Sequence, residues 1–140
     1  MLTRAIMSSP VETILRSDGA LAAAEKMAAR RVRHLVVVDA KGRVAGVVSD
    51  RDVRSAQPSV NLVPDAQMRQ KALGMLRVED IMTAHPSTVR DDQPVEEALE
   101  RLLQQRLGCL PVVDLAGTLV GIVTPGDVTR LALRLVRGTR

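Results

Sequence analysis

A hydroxyl residue followed three positions later by an aspartate occurs twice in the chain. Ser49 precedes Asp52 and Thr124 precedes Asp127, and a glycine stands three residues before each hydroxyl. Two kinds of chemistry suit this spacing. The pair can cap the first turn of a helix in a variant of the capping box. Alternatively, a first-turn carboxylate can accept hydrogen bonds from the vicinal hydroxyls of a ribose, at a helix end that favours anions.

The flanking residues fit both interpretations. Pro125 suits the first helical position, where a backbone N–H is not needed, and a cap of this kind is worth about 1 kcal/mol. Gly46 and Gly121 are expected to let a ligand approach the backbone closely, because glycine has no side chain. The residues alone leave capping and binding open, and one side chain can serve both purposes.

The two motifs belong to a longer internal repeat with an offset of 121 − 46 = 75 residues. Ile6-Met7-Ser8 matches Ile81-Met82-Thr83, and residues 35–39 match residues 110–114. Internal repeats of this kind determine the architecture, and two copies indicate a paired module. We predict a first repeat with its lead-in at residues 1–56, a linker at 57–65, and a second repeat with its leading helix at 66–140.

Hydrophobic periodicity and turn residues predict the order β-α-β-β-α in each repeat, and thus an α+β fold. The first repeat is predicted to have strands at 11–15, 35–39 and 44–48, and helices at 19–31 and 49–56. The second is predicted to have strands at 88–89, 109–113 and 118–123, and helices at 94–106 and 125–136. Four residues of the first helix are expected to form its buried stripe: Leu21, Ala24, Met27 and Ala28.

The composition limits the class of protein. A chain of 140 residues, 46% hydrophobic and 26% charged, has the size and character of one soluble domain. It has no Phe, Tyr or Trp, so the core must be aliphatic and no aromatic ring can stack on a base. With a formal charge of only +4, nucleic acid is not an expected partner. No apolar run is long enough to span a membrane, and we expect a cytoplasmic protein.

Metal and nucleophilic chemistry have few candidate residues. His34, His85 and Cys109 are the only imidazole or thiol side chains, whereas a structural zinc site needs four ligands. A Cys–His nucleophilic pair would also need an orienting group and an oxyanion site. We therefore expect no catalytic residue, no metal site and no required cofactor.

The paired motifs resemble those of the CBS domain, which is named after cystathionine β-synthase and occurs in tandem pairs called Bateman modules. The resemblance rests on Ile-Met-Ser/Thr before each repeat, on Leu-x-Val-Val-Asp and its counterpart, and on Gly-x-x-Ser/Thr-x-x-Asp. These motifs occur in the same order twice, over nearly the whole chain. The resemblance implies two repeats packed sheet to sheet with pseudo-two-fold symmetry. It also implies a stand-alone regulatory module that binds an adenine nucleotide, AMP, ADP or ATP, in a cleft between its repeats.

The same resemblance implies a set of partners. S-adenosylmethionine and NAD are less favoured ligands, and CBS pairs commonly form homodimers. A ligand that favours one arrangement energetically can shift the module, and an unidentified regulated protein would respond to that shift. The alternative is a ligand-free module for protein–protein interaction or dimerisation, in which the Ser/Thr and Asp pairs only cap helices.

Residue roles follow from the matching motif positions. The resemblance implies that Asp52 and Asp127 hold the ribose, with Ser49 and Thr124 close to the ribose and phosphate. The adenine slot would lie between the first strand and the Leu-x-Val strand of a repeat. Its border residues would be Thr13, Ile14 and Val37 in the first repeat and Thr88, Val89 and Val112 in the second. For the apolar members of these sets, plain core packing is the favoured alternative.

Phosphate groups need cations, and the two repeats differ in supplying them. The first repeat offers three candidates: Arg33, His34 and Arg51. The second repeat has uncharged residues at the matching positions: Gly108, Cys109 and Gly126. Because arginine matches phosphate in bidentate geometry, we predict that the site containing Asp52 is stronger than the site containing Asp127.

Overall fold

The computed structural model describes residues 1–138, which fall into two compact units. The central unit comprises Glu12–His85, and the composite unit combines Met1–Val11 with Pro86–Arg140. Each unit contains strands and helices in the order β-α-β-β-α, which confirms the predicted α+β class. The predicted division at residues 1–56, 57–65 and 66–140 stays a prediction. The compact units group residues by their proximity in space, and one unit combines two segments that are distant in sequence.

The central unit is built on a four-stranded sheet. Its elements are β1 (Thr13–Leu15), α1 (Ala20–Arg30), β2 (His34–Val38), β3 (Val44–Ser49), α2 (Asp50–Ala56), α3 (Ala66–Gly74), α4 (Val78–Ile81) and β4 (Thr83–Ala84). The strand order is β1-β2-β3-β4. β1 is parallel to β2, whereas β3 is antiparallel to both of its neighbours. Helix α1 therefore makes the crossover that two parallel strands require.

The composite unit has a three-stranded sheet of the same kind. Its elements are a 3₁₀ helix (Thr3–Ala5), β5 (Val89–Arg90), α5 (Val95–Gln104), β6 (Leu110–Val113), β7 (Leu119–Val123) and α6 (Pro125–Gly138). The strand order is β5-β6-β7, with β5 parallel to β6 and β6 antiparallel to β7. The two sheets thus share the connectivity that the 75-residue repeat predicts.

An aspartate closes the hairpin of each unit. Its Oδ1 accepts hydrogen bonds from the backbone N–H groups two and four residues later, at 2.9 and 3.0 Å for Asp39 and at 3.0 and 2.9 Å for Asp114. Gly42 and Gly117 complete the loops at φ +76° and +85°, a left-handed conformation that glycine adopts without strain. The bond from the Arg43 N–H is the main reason that the pKa of Asp39 is lowered.

Each Ile-Met-Ser/Thr segment pairs with a strand of the other repeat, which the sequence did not indicate. In the composite unit, Ser8 pairs antiparallel with Ile122 through N–H···O bonds of 2.8 and 3.0 Å. In the central unit, Thr83 of β4 pairs with Val47 of β3. These pairs occupy matching positions under the 75-residue offset. Each segment therefore joins the strands of the repeat that it does not precede in sequence.

Both cores are aliphatic, as the lack of aromatic residues requires. Each is centred on fully buried side chains of two paired strands: Leu35, Val37 and Val48 on β2 and β3 of the central unit, and Leu110, Val112 and Val123 on β6 and β7 of the composite unit. None of the helices within residues 1–138 is long and apolar enough to cross a membrane.

The buried stripe predicted on α1 is wrong at one position. Ala28 is exposed, whereas Ala20 and Ala23 are completely buried at the other end of the helix. The start of α1 is covered by the segment that follows α3, where the Ala20 N–H donates to the Leu76 carbonyl at 2.9 Å. The stripe is displaced toward the N-terminus because this covering segment comes from a distant part of the sequence.

Candidate functional site

The turn from β3 into α2 forms a capping box. The Ser49 Oγ accepts from the Asp52 N–H at 3.1 Å, and the Asp52 Oδ2 accepts from the Ser49 N–H at 2.9 Å. The predicted cap is confirmed here. The box fixes the half-buried carboxylate through one oxygen only, and Oδ1 accepts no hydrogen bond from residues 1–138. A carboxylate oxygen can accept two hydrogen bonds, so Asp52 keeps the capacity to bind a ligand hydroxyl.

His34 lies beside this turn, at the start of β2 and paired with Ser49 of β3. Its imidazole is half-buried, and burial lowers its pKa below the ordinary value of 6.5. Asp50 and Asp52 oppose this shift by favouring the cation, whereas Arg33 adds to it. The ring is therefore largely uncharged at neutral pH and offers one N–H donor and one nitrogen acceptor.

Two arginines near the turn carry unpaired charge. Arg54 forms an ion pair with Asp50 at 3.5 Å, but Arg33 and Arg51 are exposed and pair with no carboxylate in the described part of the chain. The carboxylates of Asp50 and Asp52 already occupy the first turn of α2, which has seven residues. Because these charges offset the dipole of so short a helix, a phosphate at this turn would have to be bound by arginine side chains.

The predicted slot residues of the central unit lie on the paired strands β1 and β2. Ile14 is paired with Val37 in parallel register, and the two side chains are 6% and 0% exposed within the core. Thr13 is half-buried, and its carbonyl oxygen accepts a hydrogen bond from Lys26 Nζ. Ile14 and Val37 are thus core residues, and the role of all three toward a ligand stays a prediction.

The matching turn of the composite unit, from β7 into α6, differs in its hydrogen bonds. The Asp127 side chain is 2% exposed. Its Oδ2 accepts from the Thr124 N–H at 2.8 Å and from the Thr124 hydroxyl at 3.3 Å. Its Oδ1 accepts from the Ser8 hydroxyl at 2.6 Å and from the Arg130 guanidinium. The predicted cap is wrong for Thr124, because its hydroxyl donates to the carboxylate instead of accepting from a backbone N–H.

The second set of slot residues repeats the arrangement of the first. Val89 and Val112 are paired in parallel and are 1% and 0% exposed. The carbonyl of Thr88 accepts a hydrogen bond from the Arg101 guanidinium. Lys26 and Arg101 thus satisfy matching carbonyls from matching positions, on α1 and α5. Neither contact was predicted, although the shared positive charge of Lys26 and Arg101 at the 75-residue offset is a visible signal in the sequence.

The motif glycines make room for protein atoms, contrary to the expectation of a ligand. A Cβ on Gly46 would lie 2.7 Å from Met82 Sδ and 2.8 Å from the Thr83 carbonyl oxygen. A Cβ on Gly121 would lie 2.8 Å from Met7 Cγ. The glycine and the Ile-Met-Ser/Thr segment are therefore two halves of one packing contact, and this contact explains why both motifs occur in each copy.

Ser8 and Arg130 are two further residues that sequence analysis did not connect with the motif aspartates. Ser8 was singled out only as part of Ile-Met-Ser, and the spacing of Arg130, three residues after Asp127 on a helix, was the available signal for that pair. Within residues 1–138, no group of three or more His, Cys, Asp or Glu side chains is placed to hold a metal ion.

A family model for the CBS domain matches residues 4–59 and 78–134. The chain belongs to the CBS domain family. A CBS domain-containing protein of Dictyostelium discoideum is 32% identical, over 97% of this chain and 94% of that protein. The chloroplastic CBS domain-containing protein CBSX2 of Arabidopsis thaliana is 36% identical, over 84% of this chain but only 56% of the relative.

Solved CBS pairs share the fold. The crystal structure of CBSX2 from Arabidopsis thaliana has a TM-score of 0.83 at 32% identity and covers 97% of this chain and 96% of its own. CBSX2 in complex with AMP has a TM-score of 0.78 at 32% identity, covering 96% and 97%. The CBS domain pair of protein MJ0100, in complex with 5′-methylthioadenosine and S-adenosyl-L-methionine, has a TM-score of 0.75 at 27% identity, covering 100% and 98%. Related CBS pairs thus bind ligands that contain adenosine.

Some relatives are enzymes in which CBS domains form a minor part. The chain is 29% identical to a homoserine O-acetyltransferase of Methanohalobium evestigatum over 90% of its own length, but it spans only 23% of that enzyme. The likeness therefore concerns the CBS portion and does not transfer the enzyme's activity.

Proposed function

We propose that this CBS pair is a non-catalytic regulatory module that binds an adenine nucleotide, AMP, ADP or ATP, at the turn containing Ser49 and Asp52. The observation that carries the proposal is the Asp52 carboxylate, which the capping box fixes through Oδ2 while Oδ1 stays available within residues 1–138. The complex of CBSX2 with AMP, at 32% identity, supports the choice of ligand class.

Recognition of the ribose would fall to Asp52. Two vicinal hydroxyls both donate hydrogen bonds, so the partner must be an acceptor with more than one free lone-pair site. Bonds to a charged acceptor are stronger than bonds between neutral groups. Because the capping box already orders the side chain, little conformational entropy is lost when the ribose binds.

Recognition of the phosphate would fall to Arg33 and Arg51, whose guanidinium groups are exposed and form no ion pair within the described residues. These cations favour a nucleotide over S-adenosylmethionine, whose sulfonium is positive. The chain also lacks the aromatic rings on which a sulfonium could rest through a cation–π contact. The neutral imidazole of His34 adds a hydrogen-bond donor beside the turn without further charge.

Regulation would follow if the bound nucleotide stabilises one arrangement of the module over another. A partner protein that binds this arrangement more tightly would gain affinity by the same factor, since coupling between two sites is reciprocal. The homodimeric state and the cytoplasmic location remain predictions that accompany this proposal.

Isothermal titration of the whole chain with AMP, ADP, ATP and S-adenosylmethionine tests the proposal. We expect Asp52→Asn to weaken AMP binding by about tenfold or more, because loss of a hydrogen bond to a charged acceptor costs about 1.5–3 kcal/mol. The matched control is Asp65→Asn, which alters another capping carboxylate, bonded to the Gln67 N–H at 2.9 Å on α3. Unchanged AMP affinity in Asp52→Asn would contradict the proposed ribose contact.

The phosphate contact needs a separate comparison, with adenosine as the reference ligand. We expect Arg51→Gln to weaken ATP by about tenfold and to leave adenosine within about twofold of the wild type. An equal loss for both ligands would place Arg51 away from the phosphate.

A ligand-free interaction module is the second candidate function. It is favoured by large apolar side chains exposed on α6, where Leu133 is 47% and Leu135 is 55% exposed. Sedimentation velocity without nucleotide, together with the titrations above, separates the candidates. A stable dimer that responds to none of the four ligands would support the interaction module instead of the nucleotide sensor.

A further inference from the structure

The Asp127 carboxylate has its hydrogen-bonding capacity filled from within the composite unit. Oδ2 accepts from the N–H and the hydroxyl of Thr124, and Oδ1 accepts from Ser8 and Arg130. Two donors at each oxygen match the roughly four acceptor sites of a carboxylate. A ribose could therefore bind Asp127 only by displacing donors that the protein already supplies.

The difference between the two turns traces to two pairs of matching positions. In the first copy, Arg51 stands directly before the motif aspartate and Ser55 stands three residues after it. In the second copy, Gly126 stands before the aspartate and Arg130 stands three residues after it. A Cβ on Gly126 would lie 3.7 Å from Arg130 Nη1. The Arg130 side chain therefore folds back over the glycine to reach the carboxylate.

The lead-in segments add a second difference. Ser8 donates to Asp127 Oδ1 at 2.6 Å. The matching residue in the central unit, Thr83, is exposed, and Asp52 accepts nothing from it or from Ser55. Two separate protein donors are thus present at one turn, and both are missing from the other.

We propose that Arg130, together with Ser8, closes the Asp127 turn to nucleotide, so that each chain binds one nucleotide, at the Asp52 turn. This inference rests on the proposed function of the Asp52 turn. Arg130 is the residue that determines the stoichiometry. Its side chain is 66% exposed, yet its guanidinium covers a carboxylate whose side chain is 2% exposed.

The closed turn has a structural use of its own. Through Ser8, Asp127 anchors the N-terminal segment at the point where its backbone pairs with Ile122. A nucleotide at Asp127 would have to break a charge-assisted contact with Arg130 and release this anchor. At Asp52, it would break neither.

The first experiment gives the second copy the residues of the first. The variant Ser8→Ala/Gly126→Arg/Arg130→Ser, which also removes the Ser8 hydroxyl from Asp127 Oδ1, is titrated with AMP beside the wild type. We expect the stoichiometry to rise from one nucleotide per chain to two. Adding Asp52→Asn to this variant then weakens one of the two sites by about tenfold or more, which identifies the new site as the one at Asp127.

The second experiment installs the closing arginine in the first copy. Arg51→Gly is the matched background, and Arg51→Gly/Ser55→Arg adds the side chain that would reach Asp52. We expect the double variant to bind AMP about tenfold more weakly than the background. The direction of the change in AMP affinity is informative, because a new cation near a phosphate site would otherwise strengthen binding. This variant also keeps the inference testable if the first variant does not fold.

The outcomes separate this inference from the proposed function. A wild-type chain that binds two nucleotides overturns the closed turn and leaves the nucleotide sensor intact. Unchanged stoichiometry in the first variant, with no weakening in the second, also overturns it. If the wild type binds no nucleotide, the proposed function fails. The first variant then decides the inference, since binding at Asp127 upholds it and a continued lack of binding overturns it.

Discussion

The substitution Gly46→Ala tests whether the motif glycine serves strand packing or a ligand. The added Cβ would lie 2.8 Å from the Thr83 carbonyl oxygen and 2.7 Å from Met82 Sδ. Thr83 belongs to β4, which pairs with β3 at this point, so relief requires a backbone shift. Overpacking costs about 1–3 kcal/mol, whereas alanine returns about 0.4–1 kcal/mol by restricting the unfolded chain. Because backbone atoms are involved, we expect a net loss of about 2 kcal/mol in unfolding free energy.

The matching substitution, Gly121→Ala, should cost less. All of the nearest atoms to its added Cβ belong to the Met7 side chain, which is flexible and can move aside. We expect a loss of about 1 kcal/mol. If Met7 is the obstacle, Gly121→Ala should cost almost nothing in a chain that already carries Met7→Ala. The double-mutant cycle should then show a coupling of about 1 kcal/mol.

Urea unfolding followed by far-ultraviolet circular dichroism measures these losses, since the chain has no Trp or Tyr for intrinsic fluorescence. AMP titration of the folded Gly46→Ala variant should give an affinity within about twofold of the wild type. The opposite pattern, with unchanged unfolding free energy and weakened AMP binding, would refute the assignment of Gly46 to β4 packing and restore a ligand role.

Three further predictions concern single side chains. Ser49→Ala removes the cap of α2 and should lower the unfolding free energy by about 1 kcal/mol in urea titration; no change would mean that the capping box contributes nothing. Burial lowers the pKa of His34 in the folded chain below 6.5, so the unfolded state binds more protons and acidification through this range destabilises the fold. The wild type should thus lose more unfolding free energy between about pH 7.5 and about pH 5.5 than His34→Gln, and equal losses would contradict this coupling. Burial raises the pKa of Cys109 to about 12, so iodoacetamide should label it only in concentrated urea; rapid labelling of the native chain, detected by mass spectrometry, would contradict its burial.

Much of the fold was predictable because the signals were local and occurred twice. The hairpin loops follow from the placement of Asp39 and Gly42, and the same pattern recurs in the second copy. The capping box at Ser49 and Asp52 was likewise contained in one short segment. Each of these features depends on residues within a few positions of one another, where sequence and backbone geometry are directly linked.

The packing partners of the lead-in segments were not predictable on this basis. A 75-residue offset shows that Ile6-Met7-Ser8 and Ile81-Met82-Thr83 are equivalent, but it is equally consistent with each segment joining either sheet. The role of the motif glycines was misassigned for the same reason, since the atoms that fill the space above Gly46 come from Met82 and from Thr83 of β4. Contacts between distant segments depend on the path of the chain in three dimensions, which a sequence repeat does not specify.

The two motif aspartates accept different hydrogen bonds, although the motifs around them have the same pattern. Thr124-x-x-Asp127 has the same pattern as Ser49-x-x-Asp52. Two of the donors to the Asp127 carboxylate nevertheless lie outside the motif: Arg130 follows it, and Ser8 is 119 positions away in sequence. The sequence prediction of a stronger first site relied on cations that would attract phosphate. The geometry adds a different reason, namely that a cation in the second copy has bound the carboxylate itself. We therefore predict that the combination in this chain of Gly126 before the aspartate and Arg130 three residues after it marks a closed turn. The reverse combination, as at Arg51 and Ser55, should indicate one that is open to ligand.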